Sequence, residues 1–123
     1  MKEILYVDAG VSDNGNRNGK QSARICVASG DCILVDEVIG SKTNNEAEIL
    51  AVAAALKWVR AEHTEIRSDS KLAVNMINRK WKGKAPNLKA LVAAIKLPAG
   101  VTLTWVPREQ NLAGHHLEKN YGI

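Results

Sequence analysis

A helix-forming stretch between two apolar, strand-like segments constrains the fold of this chain more than any other feature. Residues 43–56 read TNNEAEILAVAAAL, in which Ala, Leu and Glu dominate and Thr43 or Asn44 can cap the first free backbone N–H groups. The apolar residues at positions 49, 52, 53, 56 and 59 recur with a helical period, so we expect them to face a core. A helix that connects two strands of one sheet makes them parallel neighbours, so this stretch predicts a crossover unit.

Two strand-like segments, one on each side of this helix in the sequence, both contain an aspartate near their end. The first, at residues 4–9, is almost wholly apolar, as in a strand covered on both faces, and Asp8 interrupts it. The second is a short strand at residues 65–69 that ends at Asp69. Parallel neighbours end at one edge of a sheet, so we expect both aspartates there, with Glu48 of the crossover helix able to reach the same place.

The remaining segments complete an α/β layered domain. Strands are predicted near residues 22–28, 32–39 and 101–106, and helices at residues 70–79, from residue 86 onward and at residues 112–119. A loop rich in Gly and Asn at residues 10–20 can bring backbone close to a ligand. The 123 residues, 46% of them hydrophobic, suit a single domain with one core over residues 1–123.

Composition and charge exclude several classes of protein. The longest apolar run has eight residues, too few to cross a bilayer, and the first residues do not match a signal peptide. We therefore expect a cytoplasmic protein with no membrane partner. The 17 Lys and Arg residues against 13 Asp and Glu give a net charge of +4, which weakly favours a polyanionic partner such as nucleic acid. The two cysteines match no common zinc pattern.

Three carboxylates at one partly buried point repel one another unless protons or cations neutralise them. Oxygen ligands select Mg²⁺ or Mn²⁺, and two such ions roughly 3.5–4 Å apart can support phosphodiester hydrolysis. A structural alternative exists for each residue. Asp69 can cap the following helix, Asp8 can pair with a lysine, and Glu48 can favour the helix start through the helix dipole.

Four segments, in this order along the chain, resemble type 1 ribonuclease H, a family that cleaves the RNA strand of RNA–DNA hybrids. They are YVDAG around Asp8, TNNEAE around Glu48, RSDS around Asp69 and WVPREQN before the last helix. The resemblance implies a ribonuclease H-like fold, an α/β domain whose five-stranded mixed sheet, ordered 3-2-1-4-5, is flanked by helices. It also implies a metal-dependent endonuclease giving 5′-phosphate products, in which Asp8 bridges two Mg²⁺ or Mn²⁺ ions and Glu48 and Asp69 hold one of them.

The resemblance further implies contacts with the substrate. Asn44 and Asn45 match residues that read RNA 2′-hydroxyl groups from the minor groove, and Asn16 can assist from the glycine-rich loop. Lys71 stands where a glutamine is often found. The expected partner is an RNA–DNA hybrid, double-stranded RNA is a further candidate, and the chain is expected to be a monomer.

A short basic loop takes the place of a longer basic protrusion found in some members of the family. Its residues Trp81, Lys82 and Lys84 are expected to hold the DNA strand by charge and stacking. A core position for Trp81 fits the sequence equally well.

The last helix departs from the family pattern. Relatives carry a fourth acidic ligand in a pattern like N-x-x-A-D-x-L-A, and this chain has His115 where the aspartate would be. His115 is therefore predicted as the fourth metal ligand, and Asn111 is the alternative, although a helix cap explains Asn111 about as well. The family's mobile loop histidine is replaced by Arg108-Glu109-Gln110. The alternative function is a non-catalytic module of the same fold that binds hybrid or double-stranded RNA without cutting it.

Overall fold

The structure, a computed structural model, describes residues 2–12, 22–30, 32–60, 62–83 and 85–123. Its strands are β1 (Lys2–Ser12), β2 (Ser22–Ser29), β3 (Cys32–Gly40), β4 (His63–Ser68) and β5 (Val101–Trp105). Its helices are α1 (Asn44–Leu56), α2 (Lys71–Ile77), α3 (Pro86–Ala93) and α4 (Leu112–Tyr121), and a 3₁₀ turn at Arg108–Gln110 precedes α4. None of these helices is both long and apolar enough to cross a membrane.

The described strands form one mixed sheet in the order β3-β2-β1-β4-β5, which confirms the predicted fold class. The pairs β1–β2 and β2–β3 are antiparallel, whereas β1–β4 and β4–β5 are parallel. The strand β1 is longer than predicted because it pairs with β2 as far as Ser12. In the parallel pair, Val7 lies beside Ser68, so the next residues, Asp8 and Asp69, emerge together at the same edge of the sheet.

Side-chain caps fix the start of three helices. The Thr43 hydroxyl accepts a hydrogen bond from the Glu46 backbone N–H at 3.2 Å, and the Glu46 carboxylate accepts one from the Thr43 N–H at 2.9 Å, which is a capping box. Ser70 caps α2 and Asn111 caps α4. The alternative that Asp69 caps α2 is therefore wrong, which leaves the Asp69 carboxylate free for another role.

Helix α1 packs through small side chains as well as large ones. Its buried residues are Ala47, Glu48, Ile49, Ala51, Val52 and Ala55. The predicted stripe faces the core: Ile49 and Val52 are fully buried, and Ala53, Leu56 and Val59 are partly buried and pack against the same core. Small alanine side chains allow a helix to approach a sheet closely. The buried face of α1 therefore includes alanines and cannot be identified from its larger apolar residues alone.

The sheet is covered on both faces by different helices. The larger core contains Leu5 and Val7 of β1 together with residues of α1, α2 and α3. A smaller cluster on the other face joins Cys26 of β2 to Leu117 of α4. Because side chains alternate along β1, Asp8 lies on the face covered by α4. Helix α4 therefore begins directly beside the edge where Asp8 and Asp69 emerge.

A candidate metal centre at the edge of the sheet

Three acidic side chains converge where β1 and β4 end. Asp8 lies on β1, Glu48 lies in the first half of α1, and Asp69 directly follows β4. One carboxylate oxygen from each residue lies within 4.8 Å of the other two. Asp8 is 1% exposed and Glu48 is 6% exposed. The structure thus brings together the three carboxylates that the sequence places at this edge.

Burial and mutual repulsion make ionisation of this cluster unfavourable. Neither carboxylate oxygen of Asp8 has a hydrogen-bond partner of good geometry among the described residues. Burial, and then the charge of Asp69, raise the pKa of Asp8 to about 6. Burial, followed by the charges of Asp8 and Asp69, raises the pKa of Glu48 well above its usual range. A cation bound between the three groups would relieve these effects.

The donor set fits a hard divalent cation. It consists of carboxylate oxygens, the ligands that Mg²⁺ and Mn²⁺ favour, and the two oxygens of Asp8 are not engaged in other hydrogen bonds. Asp8, Glu48 and Asp69 are the residues that would hold such an ion.

Asn111 is fully buried and joins three parts of the site. Its Nδ2 donates to the backbone oxygen of Val7 at 2.8 Å and to Oδ2 of Asp69 at 3.1 Å. Its Oδ1 accepts from the backbone N–H groups of Ala113 and Gly114 at 3.1 and 3.4 Å. The amide oxygen is thus committed to the helix cap. Metal ligation by Asn111 would require this cap to break, so the geometry assigns Asn111 to capping α4 and to orienting Asp69.

Helix α4 approaches the carboxylates through Gly114. A Cβ atom at Gly114 would lie 3.0 Å from Oδ2 of Asp8 and 3.6 Å from Oδ2 of Asp69. His115 is exposed, and among the described residues the group able to hold a metal contains only the three carboxylates. The His115 side chain lines a depression of about 400 Å³ together with Arg108, Glu109 and Glu118. Its role as a fourth ligand stays a prediction.

Among the described residues, the cation that faces the cluster is Arg108, which the sequence pattern marks only as a replacement for the loop histidine. Its Nη1 lies 3.9 Å from Oδ2 of Asp8 and 4.0 Å from Oδ2 of Asp69. The alternative in which Asp8 pairs with a lysine is therefore wrong, because the paired cation is an arginine. The order of the strands is the feature from which the position of Arg108 could be predicted. The strand β5 runs parallel to β4, so residues that follow Trp105 lie beside those that follow Ser68.

Lys71 and Trp105 form a polar and aromatic surface next to the site. The indole Nε1 of Trp105 donates to the backbone oxygen of Asp69 at 3.1 Å. The Nζ of Lys71 lies 4.9 Å from the centre of the Trp105 ring, and both side chains are exposed. Lys71 therefore lies beside Trp105, which contacts the backbone of Asp69.

The other residues predicted to bind substrate lie on the surface or outside the described residues. Asn44 and Asn45 are exposed in the first turn of α1, the helix that carries Glu48. Trp81 is 51% exposed, so its alternative assignment to the core is wrong. Lys82 is exposed, and it lines a depression of about 460 Å³ with Trp81, Arg79 and Lys89. Asn16 and Lys84 lie outside the described residues.

The sheet order and the carboxylates at the ends of its central strands define a ribonuclease H-like protein with a candidate metal site. The family model of RNase H matches residues 1–115, so the chain belongs to the RNase H family.

Relatives and solved structures agree with this assignment. The chain is 30% identical over 120 residues to the bifunctional protein Rv2228c of Mycobacterium tuberculosis, covering 90% of this chain and 33% of the relative. It thus spans about a third of the length of the curated relatives it matches. It is also similar to LC11-RNase H1 in complex with an RNA/DNA hybrid, with a TM-score of 0.72, 28% identity, and coverage of 94% of this chain and 92% of that one. RNase H1 from the halophilic archaeon Halobacterium salinarum gives a TM-score of 0.65 at 27% identity, covering 95% and 94% of the two chains.

Proposed function

We propose that this chain is a divalent-metal-dependent endoribonuclease that hydrolyses the RNA strand of RNA–DNA hybrids. The observation that carries the proposal is the convergence of three carboxylates, one of which, Asp8, is buried with neither oxygen in a hydrogen bond of good geometry among the described residues. Membership of the RNase H family and the likeness to an RNase H1 bound to a hybrid support the choice of substrate.

In this proposal the three residues of the cluster would hold the metal. Asp8, Glu48 and Asp69 would supply carboxylate ligands to Mg²⁺ or Mn²⁺, with Asp8 as the ligand shared by two ions. The chemistry that these ions supply when bound is activation of a water and stabilisation of the leaving oxygen, which gives a 5′-phosphate product. Asn111 donates to Oδ2 of Asp69 and so holds that carboxylate in one orientation. His115 would supply the fourth ligand.

The substrate is held by surfaces on two sides of the cluster. Asn44 and Asn45, exposed in the first turn of α1, contact RNA 2′-hydroxyl groups and so distinguish RNA from DNA. Lys71 contacts the duplex beside Asp69. The basic loop with Trp81 contacts the phosphates and bases of the DNA strand.

A second function, hybrid binding without cleavage, is favoured by one observation. Only three carboxylates converge among the described residues, and His115 is exposed rather than directed into the cluster. A module that lacks a complete metal site would still grip a duplex through its exposed polar and basic residues. Double-stranded RNA is a candidate partner of such a module as well.

The deciding experiment is a gel assay with end-labelled RNA–DNA hybrid, double-stranded RNA and double-stranded DNA in Mg²⁺ or Mn²⁺. We expect cleavage of the RNA strand of the hybrid with 5′-phosphate ends, and loss of cleavage in Asp8→Asn with hybrid binding nearly intact.

Glu46→Gln is the matched control, because glutamine also serves in a capping box and Glu46 lies outside the cluster. Binding without cleavage by the wild type would favour the binding module. Cleavage by Asp8→Asn at more than a few per cent of the wild-type rate would contradict the assignment of Asp8.

A further inference from the structure

Arg108 is placed where its charge acts on two of the three proposed metal ligands. The distances of 3.9 and 4.0 Å from Nη1 to the carboxylates of Asp8 and Asp69 are those of a long ion pair. Of the lysines and arginines that the structure describes, no other forms an ion pair with this cluster. Arg108 therefore partly neutralises the negative charge of a cluster whose three acidic groups would otherwise face one another without a counter-ion.

The contact can be broken. The Arg108 side chain is 51% exposed, and exposed ion pairs are weak because water and salt screen them. Its other described contact is a hydrogen bond from Nη2 to the backbone oxygen of Ile123 at 3.2 Å. The guanidinium contributes charge near the carboxylate oxygens while leaving the oxygens of Asp8 without a hydrogen bond. A cation that ligates these oxygens directly would neutralise them better than Arg108 does.

We infer that Arg108 is a displaceable counter-ion of the carboxylate cluster, which opposes metal binding and so sets the metal concentration at which the site fills. A divalent ion held by Asp8 and Asp69 would carry two positive charges close to the guanidinium. Like charges at this separation repel, so the metal binds against Arg108 and the side chain turns outward. This inference rests on the metal site of the proposed function.

The fold offers the displaced side chain a second position. Arg108 lines the depression of about 400 Å³ together with Glu109, His115 and Glu118. The carboxylates of Glu109 and Glu118 can accept the guanidinium once the metal has replaced it at Asp8. Arg108 would then move from the buried carboxylates of the cluster to the exposed carboxylates of Glu109 and Glu118.

The test is a Mn²⁺ titration of the full chain without nucleic acid, followed by calorimetry and by the paramagnetic resonance signal of free Mn²⁺. We expect Arg108→Gln to lower the Kd for Mn²⁺ by about three- to tenfold, because the opposing charge is removed. Arg108→Lys, which keeps the charge, should stay closer to the wild type. Lys119→Gln on α4 is the control for net charge, and its Kd should change by less than about twofold.

A second readout uses stability. Without metal, Arg108→Gln should melt at a lower temperature than the wild type, and excess Mn²⁺ should shift its melting temperature upward by more. An unchanged or weaker Mn²⁺ affinity in Arg108→Gln and in a second neutral variant, Arg108→Met, would overturn the inference. Saturable Mn²⁺ binding with no cleavage of hybrid would instead overturn the proposed function and leave the counter-ion role of Arg108 standing.

Discussion

Asp8 is subject to two opposing demands, because the buried carboxylate that can hold a metal also destabilises the fold without one. Its pKa is raised from 3.8 to about 6, first by burial and then by the charge of Asp69. Between these two pH values the folded chain holds a proton that the unfolded chain has lost. The contribution of Asp8 to the free energy of unfolding of the metal-free protein is therefore fully present below about pH 3.8. It is lost as the pH rises through about 6.

Asp8→Asn should accordingly stabilise the metal-free protein at pH 7.5 while abolishing cleavage. We expect the free energy of unfolding to rise by about 1–3 kcal/mol, because the asparagine removes a buried charge and can donate to the carboxylates beside it. Urea denaturation in the presence of a chelator would measure the change. At pH 4.5 the wild-type carboxyl is largely protonated, so the difference should shrink. An Asp8→Asn variant that is no more stable than wild type at pH 7.5 would contradict this account.

His115 gives a second prediction at this scale. A neutral imidazole brings no negative charge and suits Mn²⁺ better than Mg²⁺, so the wild type should work better with Mn²⁺. His115→Asp should raise the rate supported by Mg²⁺, and His115→Ala should lower the rate with either ion. Hybrid cleavage rates with both ions would measure these effects. If His115→Ala matches the wild type with both ions, the fourth ligand is not a side chain at this position, and a water molecule becomes the candidate.

The elements of the fold follow from the sequence more completely than the details of the site do. Asp8 is predictable because it interrupts an apolar strand, and Glu48 because the crossover helix begins at the same edge. The contact of α4 with the cluster is not predictable in this way. Adjacent positions on a helix differ by about 100° around its axis, so spacing alone does not tell whether Gly114 or His115 faces Asp8. The rotation is set by packing of Leu117 and its neighbours against β2.

Loop paths limit prediction in the same way. The position of Arg108 depends on the turn that follows Pro107, and a turn of this kind carries no periodic signal.

The buried face of α1 is ambiguous in the sequence for another reason. Alanine is compatible with either face of a helix, so the buried face of Ala47, Ala51 and Ala55 emerges only when the helix meets the sheet.

The close approach of α4 gives a prediction for this element. Gly114→Val should lower stability by about 1–3 kcal/mol and raise the Kd for Mn²⁺, because its side chain would collide with the carboxylates of Asp8 and Asp69. Leu112→Val is the control, since it places the same β-branched residue on the exposed side of α4. Chemical denaturation and Mn²⁺ titration would measure both quantities. Valine has a higher helix propensity than glycine, so a loss in Gly114→Val cannot come from propensity, and a Gly114→Val variant as stable as the wild type would contradict the contact with the carboxylates.

At the scale of the whole molecule, the net charge of +4 matters through its distribution. The carboxylate cluster lies at one edge of the sheet, and the basic loop between α2 and α3 supplies a concentration of positive charge around the exposed Trp81. Phosphate contacts from such a loop position a duplex without reading its sequence. The loop should therefore contribute to affinity for every duplex, whereas the choice of RNA over DNA should depend on Asn44 and Asn45 at the start of α1.

Changing Lys80, Lys82 and Lys84 together to alanine should weaken binding to hybrid, double-stranded RNA and double-stranded DNA by similar factors. Each lysine that contacts a phosphate releases about one counterion on binding, so the slope of log K against log salt should become shallower by up to about three units. Fluorescence anisotropy with Asp8→Asn protein in the presence of a chelator, where we expect no cleavage of the substrate, would measure this slope at several salt concentrations. A triple variant at the exposed Lys57, Lys96 and Lys119 removes the same charge from other elements and should change the slope less. If both triple variants changed the slope equally, net charge alone would account for binding and the loop would lose its assignment to the DNA strand.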